Sequence, residues 1–363
     1  MDEGCRRFLW TQRIPGQQLR AVGISHVDPL WGRDGDHGKE NAVPLARSDV
    51  VVVGAGVIGL TTAVCLAEAG MGVVIRSAEL PRETTSAVAG ALCGPTITGP
   101  EDSRTGWGLV SDAEFAVLAG QPETGVRLMR GRLVSRVGHA APAWAPRVPG
   151  YLPCPAEQMP SGFSVGFWVR IPAADMPRYL DYLLGRVVAA GGRLELGTLN
   201  DLAEAAARAP VVVNCSGAYA RDLAADTNVH PVLGQHVILE NPGLDSFLHE
   251  YDAPSAWTAF LPHGERVLLG GVAVENGWER RSDPEVTRHI LTRCIEVEPR
   301  LAGARILGVE IGLRPARTTV RLEEELLTGA RCIHNYGHGG SGVSLSWGCA
   351  RTVLAMITGE SEA

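Results

Sequence analysis

Three stretches of the 363-residue sequence combine residue types at spacings that can do chemistry. In the first, Gly54, Gly56 and Gly59 stand at G-x-G-x-x-G spacing. Such glycines allow a tight turn, a close approach of a pyrophosphate to the backbone, and close packing of helix on strand. In the second, GLRPARTTVRLE (Gly312–Glu323), Arg314 lies between Gly312 and Pro315, which constrain its backbone. A guanidinium fixed in that way holds a carboxylate through two parallel hydrogen bonds. Arg317 and Arg321 read as solvated, or paired with Glu323, Glu324 or Glu325. The third stretch, CIHNYGHGGSGVSLSWGCA (Cys332–Ala350), carries a glycine-rich loop into a helix beginning at Val343. A helix N-terminus presents free N–H groups and the positive end of the helix dipole. His334 and His338 invite a metal or a base, but no carboxylate cluster accompanies them, and structural hydrogen bonding is the preferred reading.

The elements that must position these groups follow from hydrophobic pattern. Val50–Val53 is a β-branched run suited to a buried parallel strand. A helix from Val57 to Ala69, stopped by Gly70, aims its N-terminus at the phosphates. A second strand, Gly72–Arg76, completes the strand–loop–helix–strand order of a dinucleotide site. Which dinucleotide is open from this unit alone. Glu79 stands near the distance of a ribose-binding acid, whereas Arg76 suits a 2′-phosphate, covers an adenine or faces solvent. Pro210–Gly217 is another buried run, and its small residues fall at the crevice side of a doubly wound sheet. The hydroxyl-rich segment Arg82–Pro95 reads as a loop or short helix that either approaches a cofactor or packs tightly.

Beyond these segments the pattern gives a helix and irregular strands over Pro100–Pro160 and a strand at Phe163–Ile171. A helix follows at Ala174–Ala190, then strands at Arg193–Leu196, Val232–Glu240 and Arg266–Val274, and a helix at Glu285–Val297. This length suggests two domains. The net charge of −7 is scattered, which argues against a nucleic-acid binder, and no apolar run is long enough to span a membrane. Eight cysteines occur without a C-x-x-C pair, and Cys65, Cys215 and Cys349 read as small buried hydrophobes in a reducing compartment. Residues 1–48 lack periodicity and read as a disordered extension or as sequence upstream of the functional start. The terminal Ser361-Glu362-Ala363 carries no peroxisomal S-K-L address, and a cytoplasmic location is the expectation.

From Val50 onward the chain resembles the D-amino acid oxidase family of FAD enzymes. The segments that carry the resemblance are VVVVGAGVIGLTTA, TTSAVAG, VVVNCSGAYA, LLGG with the following Gly277-Trp278, GLRPAR and HNYGHGGSGVSLSWGCA. The resemblance implies an α/β fold with an α+β substrate region. A Rossmann-like FAD-binding domain would comprise residues 49–99, 197–228 and 304–360. A discontinuous, mostly antiparallel-sheet substrate domain would comprise 100–196 and 229–303. It also implies that Gly54, Gly56, Val57, Ile58 and Gly59 hold the FAD pyrophosphate. Thr84, Thr85, Ser86 and Val88 would run beside the cofactor, with Ser216 and Gly217 at the crevice. Gly339, Gly340, Ser341, Gly342, Val343 and Ser344 would lie against the flavin pyrimidine edge. Arg314 would clamp the carboxylate of a D-α-amino acid, with Gly340 beside the reacting atoms, for hydride transfer to flavin N5. The products would be a 2-oxo acid and ammonia, and dioxygen would reoxidise the flavin to give hydrogen peroxide.

Several positions depart from the family pattern. Ala259 stands where a tyrosine is usual, Cys93 where a tryptophan is common, Thr96 where a tyrosine often lies, and Leu233 where an arginine usually precedes Gly-Gln. Removing aromatics enlarges a pocket, and Trp257 or Tyr251 would be substitute contacts. The departures keep two other readings open: a related enzyme acting on a larger biosynthetic amino acid-like or amine substrate, and a flavin-binding protein without catalysis. Oligomeric state is open.

Overall fold

The valine runs form the middle of a parallel array because they are apolar on both faces. In a computed structural model of the chain, the residues described are 48–94, 104–327 and 329–359. Residues 1–47 of the proposed N-terminal extension, and Thr96, lie outside them. The first strands and helices are β1 (Val50–Val53), α1 (Val57–Glu68), β2 (Val73–Ser77), α2 (Arg104–Leu118) and β3 (Val126–Ser135). They are followed by β4 (Leu152–Pro153), β5 (Val165–Ala174), α3 (Met176–Ala189), β6 (Arg193–Leu196), α4 (Ala203–Ala206) and β7 (Val211–Asn214). Next come α5 (Ala220–Leu223), β8 (His230–Glu240), β9 (Phe247–Glu250), β10 (Ala256–His263), β11 (Arg266–Val272) and β12 (Val274–Glu275). The last elements are α6 (Pro284–Val297), β13 (Ile306–Leu327), β14 (Ala330–His338) and α7 (Gly342–Thr358).

All four residues of β1 and of β7 are buried, which a strand covered by helices on both sides requires. They pair in parallel, with β2 and β6 on one flank and β14 on the other. The sheet continues as β13, β8, β11, β10 and β9, these pairs all antiparallel, and then through β3, β5 and β4. Helix α1 packs with α3 and α7 over the parallel part, around Leu60, Leu66, Leu180, Leu183 and Trp347. Trp347 is fully buried and its Nε1 donates to the Tyr179 hydroxyl at 2.8 Å. A second core, including Phe167, Phe247 and Leu133, fills the antiparallel part.

Two of the expected domain limits cut through sheet pairings. β6, assigned by the sequence to the substrate region, pairs in parallel with β2 from Val74–Arg193 to Ser77–Leu196. Its four residues are half-buried or exposed, so no hydrophobic signal announces that partner. The first half of β13, assigned to the nucleotide part, pairs with β8 over Ile306–Ala316, and the second half pairs with β14. A single 22-residue strand therefore joins the two halves of the sheet. Smaller differences have local causes. Helix α3 begins at Met176, two residues after Ala174, because Asp175 takes the N-cap and Pro177 sits in the first turn. The ten residues of β3 form a regular strand where only irregular ones were expected.

The close approach of α2 to α7 rests on Gly348. A Cβ at that position would lie 2.3 Å from both the Cα and the carbonyl oxygen of Trp107. Gly348→Ala is expected to force the two helices apart and to cost about 1–3 kcal/mol. Thermal unfolding should show a lowered Tm relative to the unsubstituted protein.

Candidate active site

The C-terminal ends of the parallel strands open into one cavity of about 940 Å³. Its lining follows the sheet order: Arg76 from β2, Gly54 after β1, Ser216 after β7, His338 from β14, Arg314 from β13 and His236 from β8. This is the crevice position where open α/β sheets bind ligands.

The glycine fingerprint works as its spacing requires. Gly54 has φ +106°, and a Cβ there would meet the Cys215 carbonyl oxygen at 2.5 Å. Gly56 leaves an open cradle, since a Cβ would meet only Ser86, with Oγ at 3.0 Å. Val57 and Ile58 line the cavity at the N-terminus of α1. Gly59 does not line it. A Cβ at Gly59 would lie 1.9 Å from the Gly54 carbonyl oxygen, so this glycine is a packing residue beneath the cradle.

Thr84, Thr85, Ser86 and Val88 form the facing wall. Ser86 Oγ accepts from the Val57 N–H at 2.9 Å, and Thr85 Oγ1 accepts from the Leu313 N–H at 3.1 Å. These bonds tie the hydroxyl segment to α1 on one side and to the strand carrying Arg314 on the other. Ser216 and Gly217 line the cavity after β7. Of the closing loop, Gly339, Gly340, Gly342, Val343 and Ser344 line it, whereas Ser341 is buried behind them. Arg280, which the sequence did not single out, donates to Glu79 at 2.8 Å. Glu79, the candidate ribose acid, thus has a protein partner at the cavity wall.

These residues fit FAD. The cradle at Gly56, the open backbone at Gly217 and Gly339, and the N-termini of α1 and α7 suit a diphosphate and an anionic ring edge. At the β2 end, Arg76 donates to the Leu196 carbonyl at 2.9 Å, while its buried Nε has no protein partner among the described residues.

At the other end lies Arg314. Its guanidinium donates to the Val272 carbonyl at 3.1 Å and stands 5.4 Å from the Trp257 ring centroid. It forms no ion pair among the described residues. Burial lowers its pKa from the ordinary arginine value. Gly234 on β8 makes this position possible, because a Cβ there would lie 2.5 Å from the guanidinium nitrogens. Gly340 is adjacent, its Cβ position 3.8 Å from Arg314 Cδ. Partly desolvating a cation without a carboxylate partner is costly, and an incoming anion offsets that cost.

Two histidines that sequence reading missed, His236 and His249, line the same end. Burial, with Arg314 as a second cause, pushes the His236 imidazole down to about 4, and burial does the same to His249. Both are therefore neutral at physiological pH. Nothing in their spacing marked them, since they reach this end of the cavity only through the pairing of β8 with β13 and of β9 with β10.

The departures sort by position. Ala259 lines the cavity with Leu261 and Leu268, and so does Trp257. Tyr251 instead packs 6.0 Å from Trp144 and 5.9 Å from Phe167 in the substrate-region core. Cys93 is fully buried beside the α3 core and does not face the cavity, so it does not enlarge the pocket as expected. Leu233 lies opposite Leu313 and Val274 in the sheet.

His334 has a structural role. Its Nε2 lies 3.0 Å from Glu325 and its Nδ1 3.3 Å from the Asn214 amide. The carboxylate that the sequence did not associate with it arrives across the β13–β14 hairpin. Among the described residues no group of three or more His, Cys, Asp or Glu side chains could hold a metal. Arg321 pairs with Glu323 and Glu325, as expected, while Arg317 pairs with Asp226 at 3.0 Å.

The chain matches the family described as FAD dependent oxidoreductase (DAO) over residues 49–356. It is 47% identical over 308 residues to the D-amino-acid oxidase of Rubrobacter xylanophilus, covering 84% of this chain and 94% of that protein. It is 47% identical over 314 residues to the D-amino-acid oxidase of Streptomyces coelicolor, covering 85% and 97%. The crystal structure of glycine oxidase from Geobacillus kaustophilus superposes with a TM-score of 0.75 at 20% identity, covering 87% of this chain and 96% of that one, which shows the shared fold. With a cavity built for a dinucleotide and an arginine at its far end, this chain belongs to the FAD dependent oxidoreductase (DAO) family and is a flavoenzyme of the D-amino acid oxidase type.

Proposed function

We propose that the protein oxidises a D-α-amino acid to its imine, which water converts to the 2-oxo acid and ammonia, with dioxygen reduced to hydrogen peroxide. The observation that carries this reading is Arg314: a half-buried guanidinium without a carboxylate partner among the described residues, facing the cavity beside the glycine loop. FAD, when bound, supplies the two-electron acceptor. The D configuration is supported by the names of the bacterial relatives.

Gly54, Gly56, Val57 and Ile58 would hold the diphosphate, with Thr84, Thr85, Ser86, Val88, Ser216 and Gly217 along its length. Gly339, Gly340, Gly342, Val343 and Ser344 would hold the reacting end, with Ser341 and Gly59 supporting them from behind. The N-terminus of α7 directs N–H groups and a positive dipole end into the cavity, which stabilises negative charge there. Arg314 binds the substrate carboxylate and orients the α-carbon, and orientation of this kind is worth several kcal/mol. Trp257, flanking the guanidinium, excludes water from it and takes the place that the family gives to a tyrosine at Ala259. With Ala259, Leu261 and Leu268 around it, the side-chain region is roomy and apolar, which favours a bulky uncharged substrate side chain.

Purified protein should be yellow, and anaerobic mixing with neutral D-amino acids should bleach its flavin band. A yellow protein that no D-amino acid bleaches would overturn the proposal in favour of a different amine substrate. Arg314→Met should lower kcat/KM by about a thousandfold or more, the scale of losing a buried charge-assisted pair, while FAD remains bound. Gly234→Ala should have the same sign at about ten- to hundredfold, since its Cβ displaces the guanidinium; steady-state kinetics beside flavin content distinguishes this from unfolding.

A further inference from the structure

We infer that His236 holds the α-amino group of the substrate, an assignment that rests on the amino acid reading above. His236 is 8% exposed and lines the cavity. Its Nδ1 is 2.9 Å from the Val88 carbonyl oxygen. A carbonyl only accepts, so Nδ1 carries the hydrogen and Nε2 carries a lone pair. That Nε2 has no protein partner among the described residues. Its edge of the ring faces Gly270, where a Cβ would sit 3.5 Å from Nε2 and 3.4 Å from Cδ2. Gly270, His236 and Trp257 all line the cavity, with the Trp257 Nε1 also 3.4 Å from that Cβ position.

The register of β8 relates His236 to the guanidinium. Arg314 occupies the space that a Cβ on Gly234 would need. His236 follows two residues later on the same strand face, roughly 7 Å farther along. An amino acid head group fits that span: its carboxylate accepts from Arg314, and its α-nitrogen donates to Nε2, each across about 2.8–3.0 Å. A neutral imidazole is the right partner because it accepts an N–H from an amine or an ammonium.

A guanidinium alone fixes two carboxylate oxygens and leaves rotation about the bond to the α-carbon free. A third contact at the α-nitrogen stops that rotation and decides which substituent faces the reacting end. His236 therefore governs orientation as well as affinity. The bond to Val88 has a second effect, because it seats the same imidazole against the hydroxyl segment of the cofactor wall.

The two roles separate by substitution. In His236→Asn the amide nitrogen takes the place of Nδ1 and keeps the bond to Val88, but nothing replaces Nε2. The holoenzyme variant should retain its FAD affinity and bind benzoate, a carboxylate without an amine, within about twofold of wild type. Its kcat/KM for a neutral D-amino acid should fall about ten- to hundredfold, the scale of one hydrogen bond to a charged or polar group. His236→Gln, whose longer amide reaches the place of Nε2, should recover part of that loss even where FAD binds more weakly. Wild-type kinetics in His236→Asn would overturn the assignment. So would an equal weakening of benzoate and amino acid, or a loss confined to FAD affinity, either of which marks a structural histidine. Failure of the amino acid reading itself would show earlier, as wild-type flavin that no D-amino acid reduces.

Discussion

A half-buried guanidinium that meets no protein carboxylate among the described residues constrains everything around it. Arg314 is kept in place by what a neighbour lacks, a side chain at Gly234. What its neighbours supply is modest, one carbonyl from Val272 and the flank of Trp257. Without an acidic partner the cation keeps its binding capacity for an anion entering the cavity, and desolvation makes that interaction stronger than it would be in water.

The sheet delivers this group to the cofactor crevice through one long strand. β13 pairs with β8 in the antiparallel half and with β14 beside the parallel half, and Arg314 lies two residues before Ala316, where the two pairings meet. The same pairing brings His236 and Gly234 to the guanidinium, while β14 leads directly into the glycine loop and α7. The hydroxyls of Thr85 and Ser86 then bind the two walls together, one through Leu313 and the other through Val57. Cofactor wall and substrate wall are consequently one hydrogen-bonded structure, and Gly312, where a Cβ would lie 2.8 Å from Val88, lets them approach.

What the sequence disclosed, it disclosed through local rules. Four consecutive valines, three glycines at fixed spacing and a helical period announced the nucleotide unit, since each of those signals acts within about 30 residues. Arg314 stood out because Gly312 and Pro315 restrict its backbone. Contacts made across strands were invisible for the opposite reason. His236 and His249 have no mark of their own, and their importance comes from register with β13 and β10. The partner of β6 could not be read from four half-exposed residues, and Glu325 meets His334 only once the hairpin has formed. Cys93 shows the converse error: a position aligned with a pocket aromatic lies in the core here, so the resemblance carried a residue type but not its surroundings. Among the replacements for the missing tyrosine, only burial and ring contacts separate Trp257 from Tyr251.

The most direct test of the guanidinium's role is a crystal structure of the oxidised holoenzyme with a bound 2-oxo acid. The account predicts the carboxylate in two parallel hydrogen bonds to Arg314, with the 2-carbon facing the flavin ring. A carboxylate bound elsewhere in the cavity, with Arg314 turned to a protein group, would contradict it.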